Sequence, residues 1–158
     1  GEIESVNNNY RRTKKLIAAN TPGLMHTIYT TLENVARTLN EKYWRFHISA
    51  TNTSCRSHES LQFLLYNSNN QGFYDWHMDN DVQGKHQPPV RKISMTLLLS
   101  DPSTFEGGEL EIMSKGKTAK LKQGQAIFFA SWLQHRVKPV TKGERKSLVM
   151  WFGGPSFK

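Results

Sequence analysis

Apolar residues recur at three- and four-residue spacing along one clear stretch of the chain, at Leu24, Ile28, Leu32, Val35, Ala36 and Leu39. The spacing predicts one amphipathic helix following Thr21-Pro22-Gly23, with Thr21 placed to cap it and Pro22 in its first turn. Its apolar stripe has to cover something, and a face of the sheet that follows is the natural partner. A strand candidate at 16–19 precedes it. From residue 59 onward the texture changes to short β-prone runs, which predict strands at 61–66, 73–79, 92–100, 109–113, 119–121, 126–130, 135–140 and 146–152. Between them lie Asn67 to Gly72, Gln87-Pro88-Pro89, Glu106-Gly107-Gly108, Gly124 and Lys142-Gly143, the residue types that turns demand. Short strands in such number after one helix predict a mainly β protein, a sandwich or barrel with helical support. No internal repeat occurs, and the only low-complexity tract is Asn7 to Asn9. A single domain over 1–158 is expected, in which 1–58 supplies the N-terminal strand and supporting helix and 59–155 the β core.

Composition narrows the class. The 158 residues suit one domain with a real core, and 37% hydrophobic with 11% aromatic residues exclude a disordered chain. Cys55 is the only cysteine, which excludes an internal disulfide and a multi-cysteine zinc site and points to a reducing, cytoplasmic location. No run approaches the roughly 18 apolar residues of a membrane helix; the longest candidate is 93–99. The opening Gly1 and polar residues form no basic-then-apolar leader, so no secretory signal is expected. The Asn52-Thr53-Ser54 acceptor triplet is idle in that location. Lys and Arg number 21 against 13 Asp and Glu, a formal charge of +8. That balance admits nucleic acid, an anionic membrane surface or an acidic substrate. The densest cluster is Arg11, Arg12, Lys14 and Lys15; no nucleic-acid motif accompanies it, and these cations are read as a solvated surface.

Six histidines occur, and only His77 begins a His-x-Asp triplet. On a strand, His77 and Asp79 at i and i+2 point to one face, so an imidazole and a carboxylate can converge on one ion. A third ligand must come from elsewhere, and His135 follows the apolar 126–130 run. Two imidazoles and one carboxylate make the facial triad of non-haem Fe(II) oxygenases, which leaves coordination positions open. From these three residues alone, ordinary hydrogen-bonded histidines are an equally good reading.

Further motifs lie around them: Tyr66 before a short loop, Tyr74-Asp75-Trp76-His77-Met78-Asp79, Arg91 to Leu99, Gly107-Gly108-Glu109-Leu110, Gly124 to Phe129, and His135 followed ten residues later by Arg145. In order and spacing these resemble the Fe(II)- and 2-oxoglutarate-dependent dioxygenases, in particular the prolyl 4-hydroxylase-like branch that includes the PKHD-type hydroxylases. The resemblance runs from about Leu61 to Phe152. It implies a double-stranded β-helix, a jelly-roll or cupin-like barrel, with His77, Asp79 and His135 holding Fe(II) and Arg145 pairing with the distal carboxylate of 2-oxoglutarate. A planar guanidinium suits that role, since it offers two parallel donors and keeps its charge when buried. Lys146 is the rival cation, but strand alternation sends it to the opposite face. Tyr66 matches a position that hydrogen-bonds the same carboxylate, and Leu98 and Leu110 would line its pocket. Leu98 stands where the oxygen-sensing prolyl hydroxylases carry a tyrosine. Asp81 is read as holding a loop, 80–90 as a candidate substrate lid, and Trp76, Trp132 and Trp151 as core or rim aromatics. The implied co-substrates are 2-oxoglutarate and O2, with ascorbate as a further cofactor. The implied reaction hydroxylates an unactivated C–H, foremost of a prolyl residue in a peptide or protein, releasing succinate and CO2. The alternatives are a small-molecule or nucleobase substrate, or a non-catalytic metal-binding barrel. The nucleobase reading ranks low because Arg136 and Arg145 do not reproduce the two-arginine pattern of that group. Lys85, Arg91 and Lys92 flank the candidate lid and bias the expected partner toward an acidic or extended peptide; neither membrane nor nucleic acid is expected.

Overall fold

Eleven strands, one long helix and two short 3-10 turns make up the computed structural model, which describes residues 3–49, 57–80, 89–113 and 117–156. The strands are β1 (Ile3–Asn7), β2 (Arg11–Ala18), β3 (Leu61–Asn67), β4 (Phe73–His77), β5 (Val90–Leu98), β6 (Phe105–Gly107), β7 (Leu110–Ile112), β8 (Lys117–Ala119), β9 (Ala126–Ala130), β10 (His135–Val137) and β11 (Val140–Gly154), with helix α1 (Leu24–Tyr43) between β2 and β3. The order across the sheet is β8-β7-β10-β4-β2-β3-β11-β5-β9, and every pairing is antiparallel, β1 lying on β2 and β6 on the start of β11. The sheet curls back on itself: just beyond β4, the Asp79 amide bonds to Ser131 O, and the Ser131 amide to Lys92 O on β5.

Alternation along β3 and β11 divides the molecule into two layers. Leu61, Met150 and Phe152 face α1, where they pack with Ile93, Met95, Tyr29, Leu32 and Ala36. Leu64 and Tyr66 face the barrel interior with Leu110, Val137 and Val140. The mainly β architecture with one buttressing helix is therefore as the sequence predicts. Tyr29 ties the layers together, because its hydroxyl donates to Ala18 O and accepts from the Leu61 amide, bridging β2 and β3.

Several boundaries differ from expectation. Thr21 provides no side-chain cap: the helix starts after Gly23, whose φ of 93° breaks the chain direction, and only the Thr21 carbonyl takes part, accepting the His26 amide. The 16–19 strand is the end of the longer β2, which pairs with both β3 and β4. Its charged stretch lacks the apolar alternation that marks a strand. The 135–140 and 146–152 strands are redrawn as short β10 and 15-residue β11. Asp79 lies two residues beyond the end of β4. Among the described residues, no helix is long and apolar enough to cross a membrane. Cys55, Asp81, Lys85, the glycosylation triplet and positions 81–88 of the candidate lid lie outside the described residues.

Candidate active site

His77 ends β4 and His135 opens β10, and the two are paired across the ladder, so their imidazoles meet with ring centroids 4.1 Å apart. Asp79 completes the group, held by its amide bond to Ser131 O and by the Ser94 hydroxyl, which donates to Oδ2 at 2.6 Å. Asp79 Oδ1 lies 3.5 Å from His77 Nε2 and Oδ2 3.4 Å from His135 Nε2. One donor atom from each residue lies within 4.8 Å of the others. His77 Nδ1 is 2.7 Å from Asp75 O and His135 Nδ1 is 2.9 Å from Leu133 O. A carbonyl only accepts, so each Nδ1–H donates to it, which turns each Nε2 toward Asp79. Two ring nitrogens and a carboxylate thus converge, the donor set a metal cation takes. Burial alone would raise the Asp79 carboxyl, but hydrogen bonds with His135 and His77, the charge of His135 and the Ser94 hydroxyl hold it well below the usual carboxylate range. Two imidazoles, a carboxylate and backbone carbonyls behind the rings suit a divalent transition metal.

The cluster opens on a cavity of about 220 Å³ lined by Tyr66, Leu110 and Arg145, with Leu64, Met95, Val137, Val149 and Trp151 among its apolar walls. Arg145 faces inward on β11, opposite Tyr66 on β3, whereas Lys146 pairs with Leu65 and is exposed, as alternation requires. Arg145 is only 2% exposed, yet its side chain meets no carboxylate among the described residues; Nη1 donates to the Ser147 hydroxyl at 3.0 Å, and the guanidinium lies 5.7 Å from the Tyr66 ring centroid. Burial lowers its pKa, opposed by Tyr66. A buried guanidinium without an anion is costly, and this one opens on the same cavity as the His77, Asp79, His135 group. The Tyr66 hydroxyl is raised by burial, against the charges of Arg11 and Arg145 and hydrogen bonds from Thr13 and Arg11.

Other candidates fall differently. Leu98 does not line this cavity; it lines an adjoining one of about 390 Å³ on the far side of Arg145, together with Leu110, Phe105 and Gly108. Trp151 lies on the cavity wall, with Arg91 stacked on its ring at 3.9 Å. Trp76 carries the Arg136 guanidinium, and Trp132 packs edge-on against Phe46. The reading of the Arg11, Arg12, Lys14 and Lys15 cluster as surface needs correction, because Arg11 and Lys15 line the cavity, as does Arg91. Strand β2 is inserted between β3 and β4, and a pairing so distant in sequence leaves no local signal.

A family profile described as the 2OG-Fe(II) oxygenase superfamily matches residues 61–153. A PKHD-type hydroxylase of Hyphomonas neptunium is 46% identical over 81 residues, 49% of this chain and 36% of that protein. A second, from Shewanella sp. ANA-3, is 38% identical over 97 residues, 58% of this chain and 43% of that protein. The chain thus spans less than half the length of these curated relatives. Among solved structures, a Pseudomonas putida prolyl-4-hydroxylase superposes with a TM-score of 0.75 at 19% identity, covering 98% of this chain and 79% of that one. At that identity the likeness shows the fold.

Proposed function

The chain belongs to the 2OG-Fe(II) oxygenase superfamily, and on that premise we propose that it is a dioxygenase domain spanning 1–158 that hydroxylates an unactivated C–H, foremost of a prolyl residue in a peptide or protein. Fe(II), 2-oxoglutarate and O2 are the reagents of the family; bound together they supply the oxidising power for C–H hydroxylation, with succinate and CO2 as co-products. One observation carries the reading: a converging His77, Asp79, His135 group and a buried Arg145 lacking a carboxylate open onto the same cavity. A metal-binding module would need the first and have no use for the second.

In this reading His77, Asp79 and His135 hold the metal, and Asp75 O, Leu133 O and the Ser94 hydroxyl fix their orientation. Arg145 receives the distal carboxylate of 2-oxoglutarate, Tyr66 adds a hydroxyl beside it, and Leu110 walls the pocket. Leu64, Met95, Val137 and Val149 exclude water from the reacting atoms. The names of the relatives, a PKHD-type hydroxylase and a prolyl-4-hydroxylase, support the prolyl substrate. Nothing in the described residues assigns a role to ascorbate, and a cytoplasmic location rests on the lone cysteine.

The test is spectroscopic. Anaerobic protein loaded with Fe(II) is expected to develop a weak visible charge-transfer band on addition of 2-oxoglutarate, and with O2 and proline-containing peptides to yield succinate and a one-oxygen mass gain. No band from iron-loaded protein overturns the co-substrate assignment.

The seating of Arg145 gives a second expectation. Gly108 has φ +67°, and a Cβ there would lie 2.9 Å from both Arg145 Cδ and Val140 Cγ2. Gly108→Ala is expected to cost about 1–3 kcal/mol of stability through overpacking and strain. By displacing Arg145 it should also weaken 2-oxoglutarate about tenfold while sparing metal affinity, a split that calorimetry of both ligands would read.

A further inference from the structure

Strand alternation divides the cationic cluster of β2. In an antiparallel ladder, paired residues share a face. Arg11 pairs with Tyr74 and Lys15 with Leu64, so both stand on the cavity side, while Lys14 pairs with Leu65 and points away. Arg12 also points away, lying over the Phe73 ring and donating to Asn70 O. Among the described residues, four cations therefore line the cavity: Arg11, Lys15, Arg91 and Arg145. Lys15 is paired with Glu4 at 2.6 Å and Arg91 with Glu59. Arg145 is accounted for by the co-substrate. Arg11 is left, with no carboxylate within 4 Å among the described residues.

Its surroundings are those of a prepared receptor. The Arg11 guanidinium carbon lies 4.4 Å from the Tyr74 ring centroid, and Tyr74 stacks on His77 with centroids 3.5 Å apart and planes 12° from parallel. With one face of Tyr74 covered by His77, the guanidinium takes the other. Arg11 Nε is buried without a hydrogen-bond partner. The ring fixes the cation in place, and the unused donor is the kind a carboxylate satisfies. We propose that Arg11 selects the substrate: it receives a carboxylate from an acidic side chain beside the residue to be hydroxylated, as Arg145 receives that of the co-substrate. A single aromatic ring separates Arg11 from His77, so the acid would belong to a residue within one or two positions of the reacting one. This moves the acidic preference away from Arg91, which Glu59 neutralises, and from Lys92, which is buried outside the cavity lining.

The inference rests on the oxygenase reading, and its test separates the two. Protein loaded with redox-inert Mn(II) and 2-oxoglutarate is titrated calorimetrically with acetylated, amidated heptapeptides containing a central proline. One glutamate is placed in turn at each of the two positions on either side, with glutamine counterparts as controls. At one position glutamate should bind about tenfold tighter than glutamine, Arg11→Gln should reduce the ratio to about twofold or less, and Arg11→Lys should retain part of it. Because Arg11 also reaches the Tyr66 hydroxyl, each variant should lose no more than about twofold in 2-oxoglutarate affinity, and each should keep the wild-type melting profile. The inference is overturned by equal binding of the paired peptides, by no binding of any, or by a preference that survives Arg11→Gln. It is also overturned if Arg11→Gln weakens 2-oxoglutarate about tenfold, which would make Arg11 part of the co-substrate site. If the wild type binds no 2-oxoglutarate, the oxygenase reading falls and this inference with it.

Discussion

Asp79→Asn is expected to weaken divalent-metal affinity at least about 100-fold, beyond the 10- to 100-fold that loss of a supporting contact costs. The carboxylate is the only anion among the three donors, and both imidazoles turn Nε2 toward it. An amide presents a weaker, neutral oxygen to the metal and can turn its NH2 inward instead. Thermal shift reads the outcome, because a ligand that binds only the folded state stabilises it by about 2.7 kcal/mol at 100 times its Kd. For a domain of this size that raises Tm by roughly 5–11 °C. Mn(II) should produce such a shift in the wild type and no more than about 1–2 °C at the same concentration in Asp79→Asn. Equal shifts in the two proteins would show that the metal sits elsewhere. Ser94→Ala is the companion: it removes one hydrogen bond to Asp79 and leaves all three donors, so its loss of affinity should fall within the 10- to 100-fold range.

How much of this was legible beforehand depended on whether a feature was local. The helix announced itself by periodicity, and its docking on the sheet followed from having only one apolar stripe to bury. His77 and Asp79 were readable as a pair because two residues apart on extended chain means one face, although Asp79 in fact lies past the strand and reaches the site through Ser131 and Ser94. His135 and Arg145 could be placed only through the spacing shared with a known family; nothing in their own neighbourhoods marks a ligand or an anion receptor. Strand β11 shows why alternation then became informative, since adjacent Arg145 and Lys146 went to opposite faces as a period of two demands. The same rule applied to β2 would have separated Arg11 and Lys15 from Arg12 and Lys14. It could not be applied, because hydropathy alternation marks strands with one dry face. Here the inward face of β2 carries Arg11, Thr13 and Lys15 over a polar cavity, so neither face is dry. Its place between β3 and β4 is set by pairings some forty to sixty residues away in sequence.

Arg145→Met should separate stability from co-substrate binding more sharply than any other single change. In the ligand-free protein the guanidinium is buried against Tyr66 and Ser147 with no carboxylate among the described residues, and burial already disfavours its charged form. Methionine has similar length, needs no desolvation and adapts to irregular space. Replacing an unpaired buried charge by an apolar side chain is neutral to stabilising, so the melting temperature without ligand should stay level or rise. Binding of 2-oxoglutarate should move the other way, because the co-substrate's distal carboxylate would then be buried without its partner. Leaving one member of a buried charge pair alone costs about 3–5 kcal/mol, which is a loss of roughly 10²- to 10³-fold or more in affinity. Arg145→Lys should recover only part of it, since an ammonium cannot match the carboxylate with two parallel donors. Calorimetry of metal-loaded protein gives the affinity, and melting without ligand gives the stability. A drop in both would mean that Arg145 is a structural residue of the barrel, with the co-substrate held elsewhere. An unchanged 2-oxoglutarate affinity would remove it from the site. The expected pattern, a level or more stable protein that has lost its keto acid, is produced only by a cation that the fold keeps buried at its own expense for a ligand.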